Sequence, residues 1–386
     1  MQHDLTRHFP LLARFQSTRE LEASACYAGL RPRIERVLSS LVVESRAPRD
    51  AATRADSLRV VAWNIQRGRE LDAIIAALRQ HPGLREADVL LLTELDQGMA
   101  RTGNRDVAGE IARALGLSHA FAPCYLSLVN GSGLEYHLAG QNRHGLHGNA
   151  VFSRWPLSDA HALALPNGID KMGWREKRLG CQKAVVATIE HPDGPVRVVS
   201  LHLDAHSSQA HRRRQMRHVL DHLQGLPPLP VVVGGDWNTN TADSSNALAS
   251  ILGYWRRILM GPGHVLRHHY PYPERWFERG LFRDLERRGY GYRELNALGV
   301  PTVSYSVDDP AANADLAELL PRWCFWFIRQ ALKPHGGRCG LKLDWLAARG
   351  VDVVAGSARV LADANRAGAS KLSDHDPIAA ELRIRR

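Results

Sequence analysis

The sequence predicts a layered α/β fold built on mixed β-sheets. Short apolar runs typical of buried strands alternate with amphipathic segments typical of helices along most of the chain. Two predicted strands are separated only by the His-Pro-Asp-Gly sequence at 191–194, which indicates an antiparallel hairpin. Other strands are separated by a whole helix, which is typical of parallel pairs. The two kinds of connection together indicate sheets of mixed direction.

The predicted strands are short runs of Val, Leu, Ile and Ala bounded by turn residues. They cover 58–63, 88–93, 150–152, 184–189, 196–203, 230–233, 343–346, 351–354 and 378–384. The predicted helices have apolar residues at three- and four-residue spacing, and they cover 70–80, 107–115 and 209–223. A His-Pro-Gly sequence after residue 80 and Gly116 after residue 115 predict where the first two helices end.

The chain begins with a segment, residues 1–57, that is predicted to be a helical extension ending in a linker. Helical spacing at 11–15 and 34–41, with Pro32 between them, predicts two short helices separated by the proline. The linker is expected at 47–57, where small, polar and charged residues predominate.

The remainder, residues 58–386, is predicted to be the main domain, with an expanded insertion at about 255–340. Aromatic residues alternate there with Arg and His, and Trp-Cys-Phe-Trp-Phe-Ile at 323–328 is the most apolar aromatic run in the chain. This run is open to four interpretations: a packed helix, a lid over a site, a base-stacking surface or a segment that enters a lipid interface. Its helical spacing favours the packed helix.

Composition and charge narrow the class of protein. The 386 residues are 44% hydrophobic and 23% charged, which excludes a disordered or collagen-like chain. No apolar run of about 18 residues predicts a membrane span, and charges interrupt the first 20 residues, so we expect a cytoplasmic protein. The net charge of +10 favours an anionic partner such as nucleic acid, acidic lipid or a phosphorylated small molecule.

The five cysteines are few and widely spaced, and no Cys-x-x-Cys pair occurs. An odd number of cysteines at such spacings is neither a disulfide framework nor a structural zinc site. We therefore expect reduced, mostly buried thiols.

Acidic, amide and imidazole side chains stand at or beside the ends of the predicted strands. They are Asn64, Glu94, His202, Asp236, Asn238, Asp344, Asp374 and His375. Strand ends in layered α/β proteins converge on one crevice, so we expect these side chains to meet. Carboxylate and amide oxygens suit Mg²⁺ or Mn²⁺, and imidazoles donate to phosphate or transfer protons. The set predicts metal-assisted phosphate ester hydrolysis without a covalent protein intermediate.

Each of these residues, taken alone, is also typical of a purely structural position. An isolated Asn64 is a common turn cap, and Glu94 is a common carboxylate at the start of a helix. His202 lies between two leucines, where a histidine is usually part of the core. The combination of all eight residues is what indicates a site.

Seven motifs, in this order, resemble the endonuclease/exonuclease/phosphatase superfamily, which has the DNase I-like fold. They are VVAWNIQRG (60–68), DVLLLTELD (88–96), GNAVFSRWPL (148–157), VVSLHLD (198–204), VVVGGDWNTN (231–240), LDWLAARG (343–350) and LSDHDPI (372–378). The resemblance runs from about residue 59 to residue 384. It implies a four-layer α/β/β/α sandwich with the site at one edge of two mixed sheets.

The resemblance also implies roles for the individual residues. The metal, Mg²⁺ with Mn²⁺ as the alternative, would be held by Asn64, Glu94, Asp236 and Asp374. The catalytic residues would be His202, Asp236, Asn238, Asp344 and His375, with Asp344 fixing the tautomer of His375. The substrate-binding residues would be Asn149, Arg178 and Asn238.

The substrate is left open by the sequence. The leading interpretation is a Mg²⁺-dependent phosphodiesterase or nuclease; the alternatives are a sphingomyelinase-like or phospholipid phosphodiesterase at a membrane, and a non-catalytic binding module. The helix at 209–223 holds seven His and Arg residues, which form either a phosphate-contacting face or a solvated one. His218 and His222 have the spacing of a Zn²⁺ pair, but no third ligand is apparent.

Overall fold

The computed structural model describes residues 2–46, 57–240, 247–310, 313–314, 317, 322–368 and 370–385. Residues 47–56 of the predicted linker lie outside the described residues. Everything stated below about presence or absence refers to these ranges.

The α-helices follow one another in the order α1 (Phe9–Leu12), α2 (Thr18–Glu22), α3 (Ala25–Leu38), α4 (Leu71–Gln80), α5 (Pro82–Arg85), α6 (Val107–Leu115), α7 (Gln209–Gln224), α8 (Ala247–Leu259), α9 (Pro262–His264), α10 (Arg279–Arg287) and α11 (Arg322–Leu332). The three predicted main-domain helices correspond to α4, α6 and α7 within one residue at each end. Local capping explains the bounds of α6, since the Asp106 side chain accepts from the backbone N–H of Gly109 and Gly116 ends the helix at φ 69°.

The strands are β1 (Val42–Glu44), β2 (Leu58–Arg67), β3 (Val89–Gln97), β4 (Ser118–Ser127), β5 (Leu146–Ser153), β6 (Leu157–Ala164), β7 (Arg178–Gly180), β8 (Lys183–Ile189), β9 (Val196–Ser200), β10 (Val231–Asp236), β11 (Val303–Ser306), β12 (Arg338–Leu341), β13 (Asp344–Arg349), β14 (Val351–Val353), β15 (Arg359–Val360), β16 (Arg366–Ala367), β17 (Ser370–Lys371) and β18 (Ile378–Ile384). The predicted hairpin is β8 and β9, which pair antiparallel across the turn at 191–194.

Two large mixed sheets form the centre of the protein. The first has the order β1-β4-β5-β3-β2-β18-β14, with β7 paired to β4 and β15 paired to β18. The second has the order β13-β10-β9-β8-β6. Each contains one parallel pair, β2 with β3 and β9 with β10, among antiparallel neighbours, which confirms the predicted mixed direction.

The core consists of three buried apolar layers, and these make the fold a four-layer α/β/β/α sandwich. One layer lies between the sheets and joins side chains such as Val60 and Leu91 to Val198 and Val232. A second lies between the first sheet and helices α4 and α6. A third lies between the second sheet and helices α7 and α10. The fold class predicted from the sequence is confirmed.

The N-terminal extension packs on the main domain instead of standing apart from it. Leu5, Leu12 and Ile34 belong to a cluster that includes Leu126 of β4 and Leu146 of β5. β1, in a segment with no predicted strand, pairs antiparallel with β4 at the edge of the first sheet. The boundary at residue 57 stays a prediction.

Pro32 does not separate two helices, so this prediction was wrong. It lies inside α3, which continues from Ala25 to Leu38. Proline removes one i→i−4 hydrogen bond, but α3 buries Leu30, Ile34 and Val37 on both sides of it. Packing of these side chains keeps the helix continuous.

The insertion is a helical subassembly with its own two-stranded sheet. α8, α9 and α11 lie beside β11 and β12, which pair antiparallel. The aromatic run at 323–328 is part of α11, as the helical spacing predicts, with Cys324 buried. None of the helices in the described ranges has the length and apolarity needed to cross a membrane.

Candidate active site

Ends of strands from both sheets meet at one edge and bring the predicted residues together. The carboxyl ends of the parallel pairs β2–β3 and β9–β10 reach this edge. β13 and β18 run antiparallel to β10 and β2, so their first residues reach the same edge. In this register Asp236, the last residue of β10, stands opposite Asp344, the first residue of β13. The topology explains why residues far apart in sequence become neighbours.

A cleft of about 370 Å³ opens at this edge. The predicted residues that line it are Glu94, Arg178, His202, Asp236, Asn238, Asp374 and His375. Asn64 and Asp344 lie directly behind the lining, where they hydrogen-bond to Glu94 and His375. Nine of the ten predicted residues are therefore in or against one cleft.

Asn149 is the residue that the structure does not bring to the cleft. Its side chain is buried; Nδ2 donates to the carbonyl of Lys183 at 2.9 Å, and Oδ1 accepts from the backbone N–H of Glu94 at 3.4 Å. Both polar atoms are thus occupied within the protein. This placement argues against substrate contact, and it makes Asn149 a positioning residue for the backbone of Glu94.

Two β-bulges aim Asn64 and Glu94 into the site. The pairing of β2 with β3 shifts after Asn64, and the pairing of β3 with β5 shifts around Glu94. Glu94 has φ 57°, a conformation uncommon for a residue with a side chain. The predicted strand ends at 63 and 93 were wrong, because both strands continue beyond the bulges. Bulges redirect side chains in this way beside functional sites.

Asn64 connects two carboxylates. Its Nδ2 donates to Glu94 Oε1 and to Asp236 Oδ2, each at 3.1 Å. Burial alone would raise the pKa of Glu94, but the positive charges of Arg67 and the nearby imidazoles outweigh it and hold that pKa well below its ordinary value. Glu94 is therefore an ionised carboxylate deep in the cleft.

Asp236 Oδ2 is the point on which the other groups converge. It lies 3.4 Å from His202 Nε2 and 3.6 Å from His375 Nε2, in addition to its bond with Asn64. Burial raises the pKa of Asp236 despite the two imidazoles, and the neighbouring Asp344 acts in the same direction. A carboxylate with a raised pKa is a better proton acceptor than an ordinary one.

Asp344 and His375 form a buried dyad. His375 Nδ1 lies 2.8 Å from Asp344 Oδ2, which leaves Nε2 toward Asp236. The indole of Trp63 donates to the His375 carbonyl at 2.8 Å and fixes the backbone. Burial alone would lower the pKa of His375, but Asp344 and Asp236 raise it well above its ordinary value. The imidazole is thus held in one orientation and favours its protonated form.

His202 and Asn238 complete the floor of the cleft. His202 lies two residues beyond Ser200, the last residue of β9, so the predicted strand 196–203 is shorter than expected. Burial lowers the pKa of His202, and Asp236 and Glu94 offset this only in part. Asn238, at φ 50°, donates from its backbone to Asp236 Oδ1 at 2.8 Å and from Nδ2 to the Leu203 carbonyl at 2.9 Å. Its orientation is therefore fixed by the protein.

Residues 61–375 match the family model described as Endonuclease/Exonuclease/phosphatase family. The chain belongs to this family. The predicted resemblance is confirmed, and family membership makes the chain a hydrolase of the phosphate ester class. The curated proteins contain no match to this sequence.

Solved structures of several endonuclease/exonuclease/phosphatase proteins are similar to this chain. A protein of this family from Beutenbergia cavernae is 19% identical, covering 85% of this chain and 72% of its own, with a TM-score of 0.47. The human Nocturnin catalytic domain with bound sulfate is 16% identical, covering 90% and 98%, with a TM-score of 0.48. A 3'-5' exonuclease from Neisseria meningitidis is 17% identical, covering 84% and 100%, with a TM-score of 0.46.

Enzymes of the endonuclease/exonuclease/phosphatase family generally use divalent metals, and the donors of this cleft fit such an ion. Glu94 and Asp236 present oxygen atoms on either side of Asn64, and Asp374 lines the same cleft. An oxygen-only donor set suits Mg²⁺ or Mn²⁺ better than Zn²⁺.

A second group of potential ligands overlaps this one. Among the described residues, Asp236, Asp344 and His375 are the only three His, Cys, Asp or Glu residues whose donor atoms all lie within 4.8 Å of one another. Asp344 and His375 already bind each other, so their geometry favours proton handling over metal binding. His218 and His222, which have the spacing of a Zn²⁺ pair, do not belong to this group. The ring nitrogen Nε2 of His222 lies 2.7 Å from Nε2 of His161.

Three basic side chains, Arg67, Lys171 and Arg178, line one side of the cleft and are called the positive wall. The sequence predicted only Arg178 among them. Buried carboxylates hold all three in place. Glu135 lies 3.5 Å from Arg67, Asp204 lies 3.1 Å from Lys171 and Glu176 lies 3.6 Å from Arg178. Lys171 follows no strand, and Arg67 ends β2 only because that strand continues beyond its predicted end at residue 63, so the strand-end argument found neither.

His147 is a further imidazole in the cleft that the sequence analysis did not select. Its Nδ1 lies 2.8 Å from Asp96 Oδ1, in a second carboxylate–imidazole pair beside Glu94. His147 is the second residue of β5, which runs antiparallel to β3, so it reaches the same edge as the end of β3. The strand predicted from the sequence began only at Ala150, and His147 therefore did not stand at a predicted strand end.

An aromatic pair closes the outer side of the cleft. The rings of Trp174 and His206 stack with centroids 4.7 Å apart, and both residues line the cleft. Arg178 lies over the ring of Tyr125, with its guanidinium carbon 4.6 Å from the centroid. The cleft therefore offers flat apolar surface as well as charge to a bound ligand.

Three of the seven basic residues of α7 are paired with carboxylates within the protein. Arg212 is fully buried and lies 2.7 Å from Glu278, while Arg213 lies 2.6 Å from Asp284. His211 lies 3.1 Å from Asp204. The expectation of a phosphate-contacting face receives no support from these three residues.

Proposed function

We propose that this protein is a Mg²⁺-dependent phosphodiesterase, with Mn²⁺ as the alternative ion. The observation that carries the proposal is the convergence on Asp236, whose Oδ2 contacts Asn64 on one side and both imidazoles on the other. This carboxylate therefore stands between the proposed metal ligands and the two imidazoles that would move protons.

Four residues would hold the ion: Asn64, Glu94, Asp236 and Asp374. Glu94 would be the principal ligand, since its carboxylate is half-buried, lines the cleft and has a pKa held well below its ordinary value. A divalent ion held by these residues would supply Lewis-acid polarisation of the phosphoryl oxygen and neutralisation of the charge that develops in the transition state. Asn149 maintains the backbone that presents Glu94.

The remaining residues handle the proton and the phosphate. Asp236 accepts a proton from the attacking water, because its pKa is raised. His375, kept protonated and oriented by Asp344, donates to the phosphoryl oxygens, and His202 donates to the phosphate or the leaving group. The second hydrogen of Asn238 Nδ2 is directed at a phosphoryl oxygen, since the first is bound to Leu203. Attack by water leaves no covalent protein intermediate.

The positive wall would hold the rest of the substrate. Arg178, Lys171 and Arg67 line the cleft beside the metal ligands, so they fit the second ester oxygen or a neighbouring anionic group. Nucleic acid and phospholipid are two substrate classes that fit this arrangement.

The first test is hydrolysis of bis-p-nitrophenyl phosphate and p-nitrophenyl phosphate, with Mg²⁺, Mn²⁺ or EDTA. We expect cleavage of the diester that requires the metal and is lost in Glu94→Gln, which keeps the side-chain shape but removes the charge. Titration with Mn²⁺ should show weaker binding by the same variant, independently of turnover.

The matched control is Glu70→Gln, at an exposed position before α4. It should keep both activity and Mn²⁺ affinity. Undiminished hydrolysis by Glu94→Gln would contradict the site assignment. No cleavage of either ester by the wild type would favour the non-catalytic binding module, whereas cleavage of the monoester alone would redirect the proposal to phosphorylated small molecules.

A further inference from the structure

The insertion contains an apolar groove of about 260 Å³ that adjoins the catalytic cleft. The groove lies between α8, α9 and α11 and the strands β11 and β12. Its apolar lining is supplied mainly by Ile258, Val265, Leu266, Ile328, Leu332 and Leu341. Several of these side chains are only half-buried, so the groove is open to a ligand. Apolar area that stays accessible in a well-formed groove is a binding surface.

Tyr305 is the shared wall between the groove and the catalytic cleft, since it lines both. Its hydroxyl donates to Asn313 Oδ1 at 2.7 Å, which fixes the ring at the boundary. A molecule with its phosphate among Glu94, Asp236 and His375 can therefore extend past Tyr305 into the groove.

One cationic group lies inside this otherwise apolar lining. Arg257 contributes its guanidinium, and its Nη1 is buried without a hydrogen-bond partner among the residues that the structure describes. An unpaired buried donor is costly, and a ligand that supplies an oxygen removes that cost. An ester carbonyl or phosphate oxygen attached to an apolar chain fits this combination.

The outer faces of the same two helices carry exposed aromatic and apolar side chains. On α8, Trp255 and Leu259 are 40% and 86% exposed, and on α11, Trp323 and Trp326 are 48% and 60% exposed. Trp255 contacts Phe327 of α11 with ring centroids 5.8 Å apart, so the two faces are adjacent. Exposed tryptophans beside an apolar groove are typical of surfaces that meet an amphiphile at an interface.

We propose that the groove binds the apolar chain of an amphiphilic phosphodiester whose phosphate lies in the catalytic cleft. This inference rests on the proposed function and names its substrate class. A nucleic acid gains little from an apolar groove with one cation, and Arg212 and Arg213 of α7 are paired with carboxylates. The observations therefore favour a lipid-like ester over a polynucleotide.

The test compares p-nitrophenyl methyl phosphate with p-nitrophenyl dodecyl phosphate, the latter below the concentration at which it forms micelles. We expect kcat/KM to be at least about ten-fold higher for the dodecyl ester, because each buried methylene favours binding. Ala331→Trp fills the groove and should reduce this ratio to about one. Ala28→Trp, on the exposed surface of α3, should leave the ratio and the hydrolysis of the methyl ester unchanged.

A binding measurement separates this inference from the proposed function. Calorimetric titration of Glu94→Gln with dodecyl phosphate in EDTA should show saturable binding that Ala331→Trp removes in the same background. Binding without turnover of any ester would overturn the phosphodiesterase and keep the groove. Turnover with equal kcat/KM for both esters, or with faster cleavage of a DNA duplex that Ala331→Trp leaves unaffected, would overturn the groove and keep the phosphodiesterase.

Discussion

At the scale of single residues, the site depends on carboxylates that orient imidazoles. Asp344 holds His375 and keeps it protonated, while its other oxygen, Oδ1, is buried without a hydrogen-bond partner among the described residues. Burying a carboxylate oxygen without a hydrogen-bond partner costs free energy. We infer that Asp344 is buried there because it orients His375.

Asp344→Asn should lower kcat for bis-p-nitrophenyl phosphate by about 10²–10⁴, because His375 loses its orientation and its charge. The apparent affinity for Mg²⁺ should change little, since Asp344 is not among the proposed ligands. Steady-state kinetics across a Mg²⁺ series measures both quantities. Asp352→Asn, in an exposed ion pair with Arg385, is the control. A loss of Mg²⁺ affinity equal to the loss of kcat would place Asp344 in the metal site instead.

His206 makes stability depend on pH. Burial lowers its pKa to about 4, Lys171 and Arg178 act in the same direction, and Asp204 opposes them. The folded pKa is below the ordinary value of 6.5, so His206 contributes stability that is present above pH 6.5 and is lost as the pH falls toward about 4.

Urea unfolding at pH 7 and pH 4.5 measures this contribution. The wild-type midpoint should fall between the two pH values, and His206→Phe, which retains an aromatic ring beside Trp174, should fall less. His137→Phe, on the exposed surface, is the matched substitution and should leave the wild-type difference in place. Equal differences for wild type and His206→Phe would show that His206 is not the group involved.

Most of the individual site residues could be predicted because they stand at or beside the ends of strands, and the exceptions have physical causes. Glu94, Asp236 and His375 are next to apolar runs that any periodicity argument detects. Lys171 and Trp174 lie in a loop, where the sequence contains no periodic signal for their direction. Asn149 lies in a motif that adjoins the site, but its side chain bonds to the Lys183 carbonyl within the protein. Which partners a buried amide finds depends on tertiary packing, which the sequence pattern does not give.

At the scale of elements, close contact between backbones sets the geometry of the site. Gly235 precedes Asp236 with φ 136°, and a Cβ there would lie 2.2 Å from the carbonyl oxygen of Leu201. Only glycine allows β10 to approach the segment after β9 so closely. His202 and Asp236 are thereby brought within 3.4 Å of each other.

Gly235→Ala should destabilise the fold and lower kcat together, because relief of the clash separates His202 from Asp236. Gly194→Ala is the matched control: its φ of 126° is equally unfavourable for alanine, but no atom lies within 4 Å of the new Cβ. We expect the control to cost about 1–3 kcal/mol of unfolding free energy. Gly235→Ala should cost more than that in urea titrations. Equal costs would show that backbone strain alone, without the contact, is responsible.

The bulges in β2 and β3 are the elements that the sequence could least predict. Alternation of apolar residues locates a strand, but one added residue leaves the apolar character of VVAWNIQRG and DVLLLTELD unchanged. The strands were therefore predicted to end at the bulges, at 63 and 93. The bulges bring the Asn64 side chain within hydrogen-bond distance of both Glu94 and Asp236. This contact between distant segments is a matter of tertiary structure.

At the scale of the whole molecule, the N-terminal extension supports the wall of the cleft. Its apolar cluster includes Met172 and Leu179, and the Thr18 hydroxyl donates to Asp170 at 2.6 Å. Asp170, Met172 and Leu179 lie within or next to the segment 171–178, which supplies Lys171, Trp174 and Arg178 to the cleft. The extension and the cleft are thus parts of one packed unit.

Leu12→Ala should lower the unfolding free energy of the whole protein by about 2–5 kcal/mol, because Leu12 is completely buried in the cluster. Leu11→Ala, next in sequence and 41% exposed, should change it by no more than about 0.5 kcal/mol. Urea unfolding followed by circular dichroism measures both. An early, separate transition in Leu12→Ala, with the main transition unmoved, would show instead that the extension unfolds as a domain of its own.

The position of β18 determines when the fold can be completed. It lies inside the first sheet, between β2 and β14, and buries Ile378, Ala380 and Leu382 between the sheets. The edge of β2, near residue 60, is therefore covered only when β18, near residue 380, has paired with it. Pairings over such separations make folding slow, and an uncovered apolar strand is open to neighbouring chains in the meantime. We therefore expect the catalytic edge to assemble late in folding, because His375 precedes β18 and reaches Asp344 when that strand is in place.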